Sequence, residues 1–382
     1  MEKKIYTETI YNEEIIRPTR VEVDLQKIKQ NYYEIKKYIG NTKIMPILKA
    51  NAYGHGLIRI AKLMEDLNAD YIGVAVLEEG ILLRQNGIQL PILVLGGIWG
   101  NQIPLFLKYD LTITASSIIK LKQIDEVASN LKTKAKVHLK IDTGMERIGV
   151  HYYNSETFFQ ESLKCKNIIV EGVYSHFANS ESIDLTFPKL QLERFNESIL
   201  FYEKHSIEIP IRHISNSGAI LQLPEGNFDL VRPGLLLYGV YPSDEINKSI
   251  KVEPALSWKS LVVYFKVIKK ESTVGYGMKW RAEKNIRAVT IPVGYGDGYF
   301  RSMSHKAEVI INKKRYPVIG TISMDQIVVN IENDSAYNGD EVILIGKDGE
   351  VSLTVENLAE WAGTIPYEIL TNINTRVPRV YV

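Results

Sequence analysis

Lys43–Val76 reads KIMPILKANAYGHGLIRIAKLMEDLNADYIGVAV, and this stretch decides the fold class. An apolar run, Lys43–Ala50, gives way to a glycine-punctuated turn. Apolar residues then recur at helical spacing over Ile58–Leu67, and a second β-branched run follows at Tyr71–Val76. A period that switches from strand to helix and back marks a β-α-β unit. The pattern continues toward the C-terminus. Strand-like runs stand at Pro91–Gly97, Thr112–Ala115, Ala135–Asp142, Ile168–Ala178, Ile211–Ser217 and Phe228–Gly234. Amphipathic stretches lie between them at Glu78–Asn86, Ser117–Leu131, Ser155–Cys165 and Leu190–His205, with a shorter link before the last run. Eight such runs between Val21 and Gly239 fit an α/β fold closed into a (β/α)8 TIM-type barrel. A doubly wound open sheet has the same periodicity and stays open as the alternative.

Beyond Pro254 the character changes. Leu256–Val267, Arg287–Pro292, Ala307–Ile311, Tyr316–Ile319, Ile327–Val329, Glu341–Ile345 and Val377–Val382 read as strands. Turn signals such as Asn338-Gly339-Asp340 and Lys347-Asp348-Gly349 separate them, and one helical piece, Thr354–Ala362, interrupts them. The expected organisation is an N-terminal extension over 1–16, a barrel over 17–248 and a mostly β C-terminal domain over 249–382.

Bulk properties narrow the function. With 46 basic and 45 acidic residues in 382, the formal net charge is +1, which gives no reason to expect nucleic acid or an anionic membrane as partner. The single cysteine, Cys165, cannot form an internal disulfide and fits a reducing compartment. The leading residues MEKKIYTETIYNEEII hold no apolar core of a secretory signal, and no apolar run reaches the ~18 residues of a membrane helix. The expected location is the cytoplasm. The seven histidines show no metal-ligand spacing, so no metal is expected, and the Gly-rich loops fit neither phosphate-loop nor dinucleotide patterns.

In a barrel the chemistry sits at the C-terminal strand ends. There this sequence places Lys49, then Lys140 and Asp142 with Arg147 just after, Ser175 and His176, Asn216 and Ser217, and Arg232 with Gly234. Strand ends meet water, so polar residues there are common. A lysine delivered by an apolar strand suits Schiff-base chemistry, because desolvation frees its amine; taken alone, it reads more readily as a lysine reaching for solvent. Ser217-Gly218 and Arg232-Pro233-Gly234 follow the last two strands, where small residues let backbone N–H groups approach a phosphate, or simply make turns. Tyr276 and Tyr295 stand in Gly-rich loops that can present a phenol or merely pack it.

The stretch Leu48-Lys49-Ala50-Asn51-Ala52-Tyr53-Gly54-His55-Gly56 resembles the attachment motif of the alanine racemases, enzymes of fold-type III that use pyridoxal 5′-phosphate (PLP). The resemblance runs on through Leu139–Gly149, Ser175–Ala178, Asn216-Ser217, Asp229–Gly234, Gly275–Gly277, Ser323–Gln326 and Gly363–Glu368. It implies a homodimer with shared sites that interconverts L- and D-alanine and supplies D-alanine for peptidoglycan. Lys49 would bind PLP and act as base on one face of the substrate. Tyr276 of the partner subunit would be the base on the other, with His176 tuning it. Arg232 would meet the pyridine nitrogen. Tyr53, Asn216, Ser217, Gly234, Leu235 and Tyr367 would hold the cofactor. Arg147, Met324, Tyr276 and Tyr295 would meet substrate, and Lys140 matches a position that is carbamylated in many members.

Ser323 stands where members often have cysteine, Glu146 occupies a variable place, and residues 1–16 make a longer acidic lead. Three other readings compete: a serine or broader-specificity racemase, a fold-related PLP decarboxylase, and a PLP-binding barrel without turnover. The bulky Tyr367 favours alanine over serine. The second-domain cysteine of such decarboxylases has no counterpart here, since Cys165 falls in a barrel helix. The binding barrels lack Tyr276 and a β domain.

Overall fold

The structure is a computed structural model and describes residues 17–382; the 1–16 extension lies outside the described residues. Two compact units emerge: 27–52 with 57–253, and 17–26 with 53–56 and 254–382.

The first unit is a closed parallel barrel. Its eight strands are Lys43–Ile44, Ile72–Val74, Ile92–Val94, Thr112–Ala115, Ala135–Asp142, Ile168–Tyr174, Ile211–His213 and Leu230–Val231. Six of them, from Ile72–Val74 to Ile211–His213, pair parallel in chain order. Leu230–Val231 pairs parallel with Lys43–Ile44. Backbone bonds close the remaining seams: Asp229 N to Arg212 O and Arg232 N to Ser215 O on one side, Leu48 N to Gly73 O and Gly73 N to Pro46 O on the other. The open-sheet alternative is thereby set aside. Ile72, Val74, Ile113, Val137, Leu139 and Val173 are all fully buried, as strands covered on both faces demand.

The helices fall within a few residues of the amphipathic stretches: Leu57–Asp66, Leu77–Gln85, Ile118–Asn130, Ser155–Lys164 and Thr186–Lys204. Ser117 starts the third of these by accepting a bond from Lys120 N, which satisfies one orphan donor of the first turn. The strands at the seam are shorter than the apolar runs that predict them. Pro46 and Pro233 have no N–H to give a ladder, and the chain bends away at the mouth.

In the second unit nine strands follow one another in a single sheet path. Their order is Tyr264–Ile268, Ile286–Ile291, Ile327–Glu332, Lys314–Ile319, Glu308–Ile311, Glu341–Asp348, Leu256–Leu261, Arg20–Val23 and Arg379–Tyr381, with Val351–Leu353 paired off Glu341–Asp348. The expected single strand Leu256–Val267 is in fact two. Val262 N turns to Asp340 O, and the second piece becomes an edge strand with Tyr264 and Phe265 half exposed. Arg20–Val23 pairs antiparallel with Leu256–Leu261 and parallel with Arg379–Tyr381. A helix not expected from the sequence, Pro366–Asn372, starts on Pro366, whose missing N–H costs nothing in a first turn. Among the described residues no helix is long and apolar enough to cross a membrane, and no group of three or more acidic, His or Cys side chains could hold a metal ion.

Candidate active site

Lys49 leaves the first barrel strand at the mouth. The next four residues, Ala50, Asn51, Ala52 and Tyr53, all have φ between 52° and 56°. This is a left-handed turn made without glycine, closed by Ala52 N to Leu48 O at 2.7 Å. Such a conformation costs roughly 1–2 kcal/mol per residue, so other bonds must hold it. Asn51 Oδ1 accepts from Leu57 N at 2.8 Å and caps the following helix. Glu79 accepts from Ala50 N at 2.6 Å. The Lys49 amine faces solvent at the mouth, but surrounding protein desolvates it and lowers its pKa; Arg147 and Arg232 lower it further, while Glu79 opposes them.

Arg232, just after the eighth strand, is buried and among the described residues has no carboxylate partner. Nη1 donates to His213 Nδ1 at 2.7 Å. Nη2 donates to Ser175 O, Ile214 O and His176 Nδ1 at 2.8, 3.0 and 3.1 Å. A guanidinium only donates, so both Nδ1 atoms must be bare and both imidazoles carry their proton on Nε2. His213 Nε2–H then donates to His138 Nδ1 at 2.8 Å, which puts the His138 proton on Nε2 as well. Burial and the Arg232 charge pull all three histidines below their ordinary values, His138 to about 3. Burial lowers Arg232 itself to about 10, so it stays a cation at neutral pH. Among the described residues nothing accepts from its Nε–H.

Lys140 ends the fifth strand. Its Nζ is buried without a hydrogen bond, 4.6 Å above the centroid of the Tyr174 ring. Burial, then Arg232, drive its pKa well down despite Asp142. Asp142 folds the next loop around its carboxylate, accepting from the N–H groups of Gly144, Met145, Glu146 and Arg147 at 2.8 to 3.2 Å. Burial alone would raise its pKa, but these bonds win and lower it. Arg147 is thus delivered by a fixed strap. The strap lies close on Lys140: a Cβ on Gly149 would come within 2.9 Å of Lys140 Cγ.

At the last two strands, Ser217 Oγ accepts from Gly234 N at 2.9 Å and Leu236 N at 3.3 Å, joining the two loops. Asn216 caps the helix Ser217–Gln222 and accepts from Ser180 Oγ at 2.6 Å. Gly218 packs so closely that a Cβ would meet the Ser180 backbone at 2.8 Å. Gly234 and Leu235 are buried beside them.

The remaining expected residues belong to the β-rich unit. The Tyr53 and Tyr367 rings lie with centroids 6.0 Å apart. Tyr276 stands between Gly275 and Gly277, both at positive φ, and is 73% exposed. Tyr295 N bonds Ser323 O and Gly296 N bonds Met324 O, so the loops carrying Tyr295 and Met324 run together. The buried Asp297 accepts from Arg376 Nε at 2.6 Å, and Arg376 Nη2 reaches Asp325 at 2.6 Å, which locks the pair. Ser323 closes its own turn through Gln326.

The charges of Arg232, Lys140, Arg147 and Lys49 all act on one imidazole, His176, so these cations converge. Asp142 and Glu79 are the acids felt by the two lysines of that group, and both are engaged by backbone N–H donors. Two guanidiniums, Arg147 and Arg232, acting together on His176 fit an anionic ligand at the mouth. A free amine, a guanidinium with an uncommitted N–H and small buried loops fit PLP in particular.

Profiles of the alanine racemase N-terminal domain and the alanine racemase C-terminal domain match residues 23–242 and 255–381. The chain belongs to the alanine racemase family. An alanine racemase of Carboxydothermus hydrogenoformans is 43% identical over 369 residues, 96% of this chain and 100% of that one. One of Clostridium tetani is 39% identical, covering 96% of each chain. The solved alanine racemase of Clostridium difficile 630 has 38% identity and a TM-score of 0.92 over 97% of each chain. Family membership makes the protein an enzyme of the alanine racemase class. Reasoning from sequence missed supporting residues in each unit: Glu79, His138 and His213 in the barrel, Asp297 and Arg376 in the β-rich unit. His138 and His213 had a local signal, each a histidine inside a strand-like run, Ala135–Asp142 and Ile211–Ser217.

Proposed function

We propose that the protein interconverts L- and D-alanine with PLP bound at Lys49, by two bases on opposite faces of the substrate Cα: Lys49, and Tyr276 of the partner subunit in a homodimer. The observation that carries this reading is the desolvated Lys49 amine beside Arg147 and Arg232. When bound, PLP supplies an electron sink for the pair left at Cα. The Lys49 amine, whose pKa is lowered by burial and by Arg147 and Arg232, can take a proton and return it. His176 carries its proton on Nε2 because Arg232 occupies Nδ1, so it can donate to the phenol oxygen of Tyr276 but not accept from it. Arg147 would hold the substrate carboxylate with the backbone of Met324 of the partner subunit, and Tyr295 and Tyr367 would line the entrance. The loops of Asn216, Ser217, Gly234 and Leu235, and the hydroxyls of Tyr53 and Tyr367, would hold the phosphate. Arg232 would meet the pyridine nitrogen with its free Nε–H and, as a cation, would not readily yield its proton to it. Burial lowers the pKa of Lys140 well below the usual lysine range and so favours the free amine, which can add carbon dioxide, releasing a proton and leaving a carbamate anion that would pair with Arg147. The enzyme works in the cytoplasm and supplies D-alanine for peptidoglycan.

The test uses purified protein supplied with PLP and given L-alanine or L-serine. Rapid D-alanine, little D-serine and loss of activity on borohydride reduction are expected. D-serine at a comparable rate would shift the assignment to a broader racemase. Tyr276→Phe should keep PLP bound while turnover falls by about 10²–10⁴-fold; full activity in that variant removes the second base.

A further inference from the structure

We infer that Glu79 is a positioning residue for the Lys49 amine, clamping the left-handed turn that begins at Ala50 to the end of the second barrel strand. The inference rests on the reading of Lys49 as a base. Glu79 occupies the third position of the helix Leu77–Gln85, where a glutamate ordinarily reaches back to cap its own helix. Here that bond, from Val76 N, is the longest of the set at 3.4 Å. The short bonds go elsewhere. Oε2 takes Ala75 N at 2.8 Å, and Oε1 takes Ala50 N at 2.6 Å, 29 residues away in sequence on a neighbouring strand end. Ala50 N is the amide nitrogen of the Lys49–Ala50 peptide. Fixing its N–H fixes the peptide plane from which the Lys49 side chain departs, at the first residue of a turn whose backbone is strained at every following step.

Charge adds a second effect. Arg147 and Arg232 favour the free amine of Lys49, and Glu79 is the anion that opposes them. Removing Glu79 therefore loosens the turn and also favours the free amine further. A residue that only stabilised the fold would do the first without the second.

The test compares Glu79→Gln with wild type, and Glu78→Gln, an exposed neighbour on the same turn, as control. The Gln variant cannot accept with both ends, since its amide NH2 must face an N–H donor. Amide exchange of residues 50–53 in the full chain, with and without PLP, should speed at least tenfold in Glu79→Gln and not in the control. In cofactor-free chain, the pH midpoint for reaction of Lys49 with added PLP should move to lower pH. Turnover should fall with KM for alanine little changed. Unchanged exchange at 50–53, or an unmoved midpoint, overturns the inference. If Glu79→Gln does not fold, Glu79→Asp serves for the exchange measurement, because its shorter arm cannot span Ala50 and Ala75 together; it keeps the charge, so its midpoint should stay near wild type. Borohydride trapping in wild type separates the two readings: PLP reduced onto a lysine other than Lys49 sinks the base assignment, while the exchange data still judge the clamp.

Discussion

Arg232 and Lys140 are both buried cations of the barrel interior, and the protein treats them in opposite ways. Arg232 gives its hydrogens to two imidazoles and two carbonyls, so desolvation is met by bonds and the charge survives at neutral pH. Lys140, among the described residues, has only the face of Tyr174, and desolvation wins. Two cations of similar burial are thus sorted by acceptors: one is kept as a permanent donor, the other is pushed toward a reactive free amine. The barrel spends its neutral acceptors on the group whose charge must not change.

The largest expected effect comes from removing the satisfied cation. Arg232→Leu takes a donor from four acceptors at once: His213 Nδ1, His176 Nδ1, Ser175 O and Ile214 O. At about 1 kcal/mol or more for each buried acceptor left short, the loss should reach several kcal/mol in denaturant unfolding. The tautomers of His213 and His176 also become free to change, which ¹⁵N NMR reads directly. Unfolding within 1 kcal/mol of wild type would mean that the network does not bear on stability, and the contrast with Lys140 would collapse.

Removing the unsatisfied cation should do the reverse. Lys140→Met keeps the length of the side chain and drops a buried amine that has no hydrogen bond. In carbon-dioxide-free buffer the cofactor-free variant should be as stable as wild type or more stable, by up to about 2 kcal/mol. Added bicarbonate should stabilise wild type and leave the variant unmoved. A destabilised Lys140→Met in that buffer would show that Nζ has a partner in solution and belongs with Arg232 after all.

This sorting is hard to see from the chain alone, although its members are not. The barrel follows from local periodicity: Thr112–Ala115 and Ala135–Asp142 have the bounds that the apolar runs predict, and Ser117 marks a helix start. Lys49, Lys140, Arg147 and Arg232 stand out as charges where apolar strands end. What decides the fate of each charge is a partner from a distant strand, such as His213 for Arg232 or Tyr174 for Lys140, and spacing carries no record of such pairings. The same holds for Arg20–Val23, which pairs with strands more than 200 residues away. The left-handed turn Ala50–Tyr53 goes further, because residue propensity argues against it. Only tertiary bonds such as that from Glu79 explain it.

The smallest effect at neutral pH tests the far end of the Arg232 chain. His138 receives the His213 proton and holds its own on Nε2, buried with no hydrogen bond. Its folded pKa is about 3 against an ordinary value of 6.5, so the unfolded chain binds a proton that the folded one refuses. Stability from this group is therefore whole above pH 6.5 and is lost as pH falls from there toward 3. One such proton is worth about 1.4 kcal/mol per pH unit within that window. His138→Gln can still accept from His213 Nε2–H and has no proton to take up. At pH 7 it should unfold close to wild type; between pH 6 and 4 its stability should fall less steeply, by about that one-proton slope. Parallel curves for the two proteins would mean that His138 titrates in the folded chain. The tautomer order that Arg232 imposes would then stop at His213.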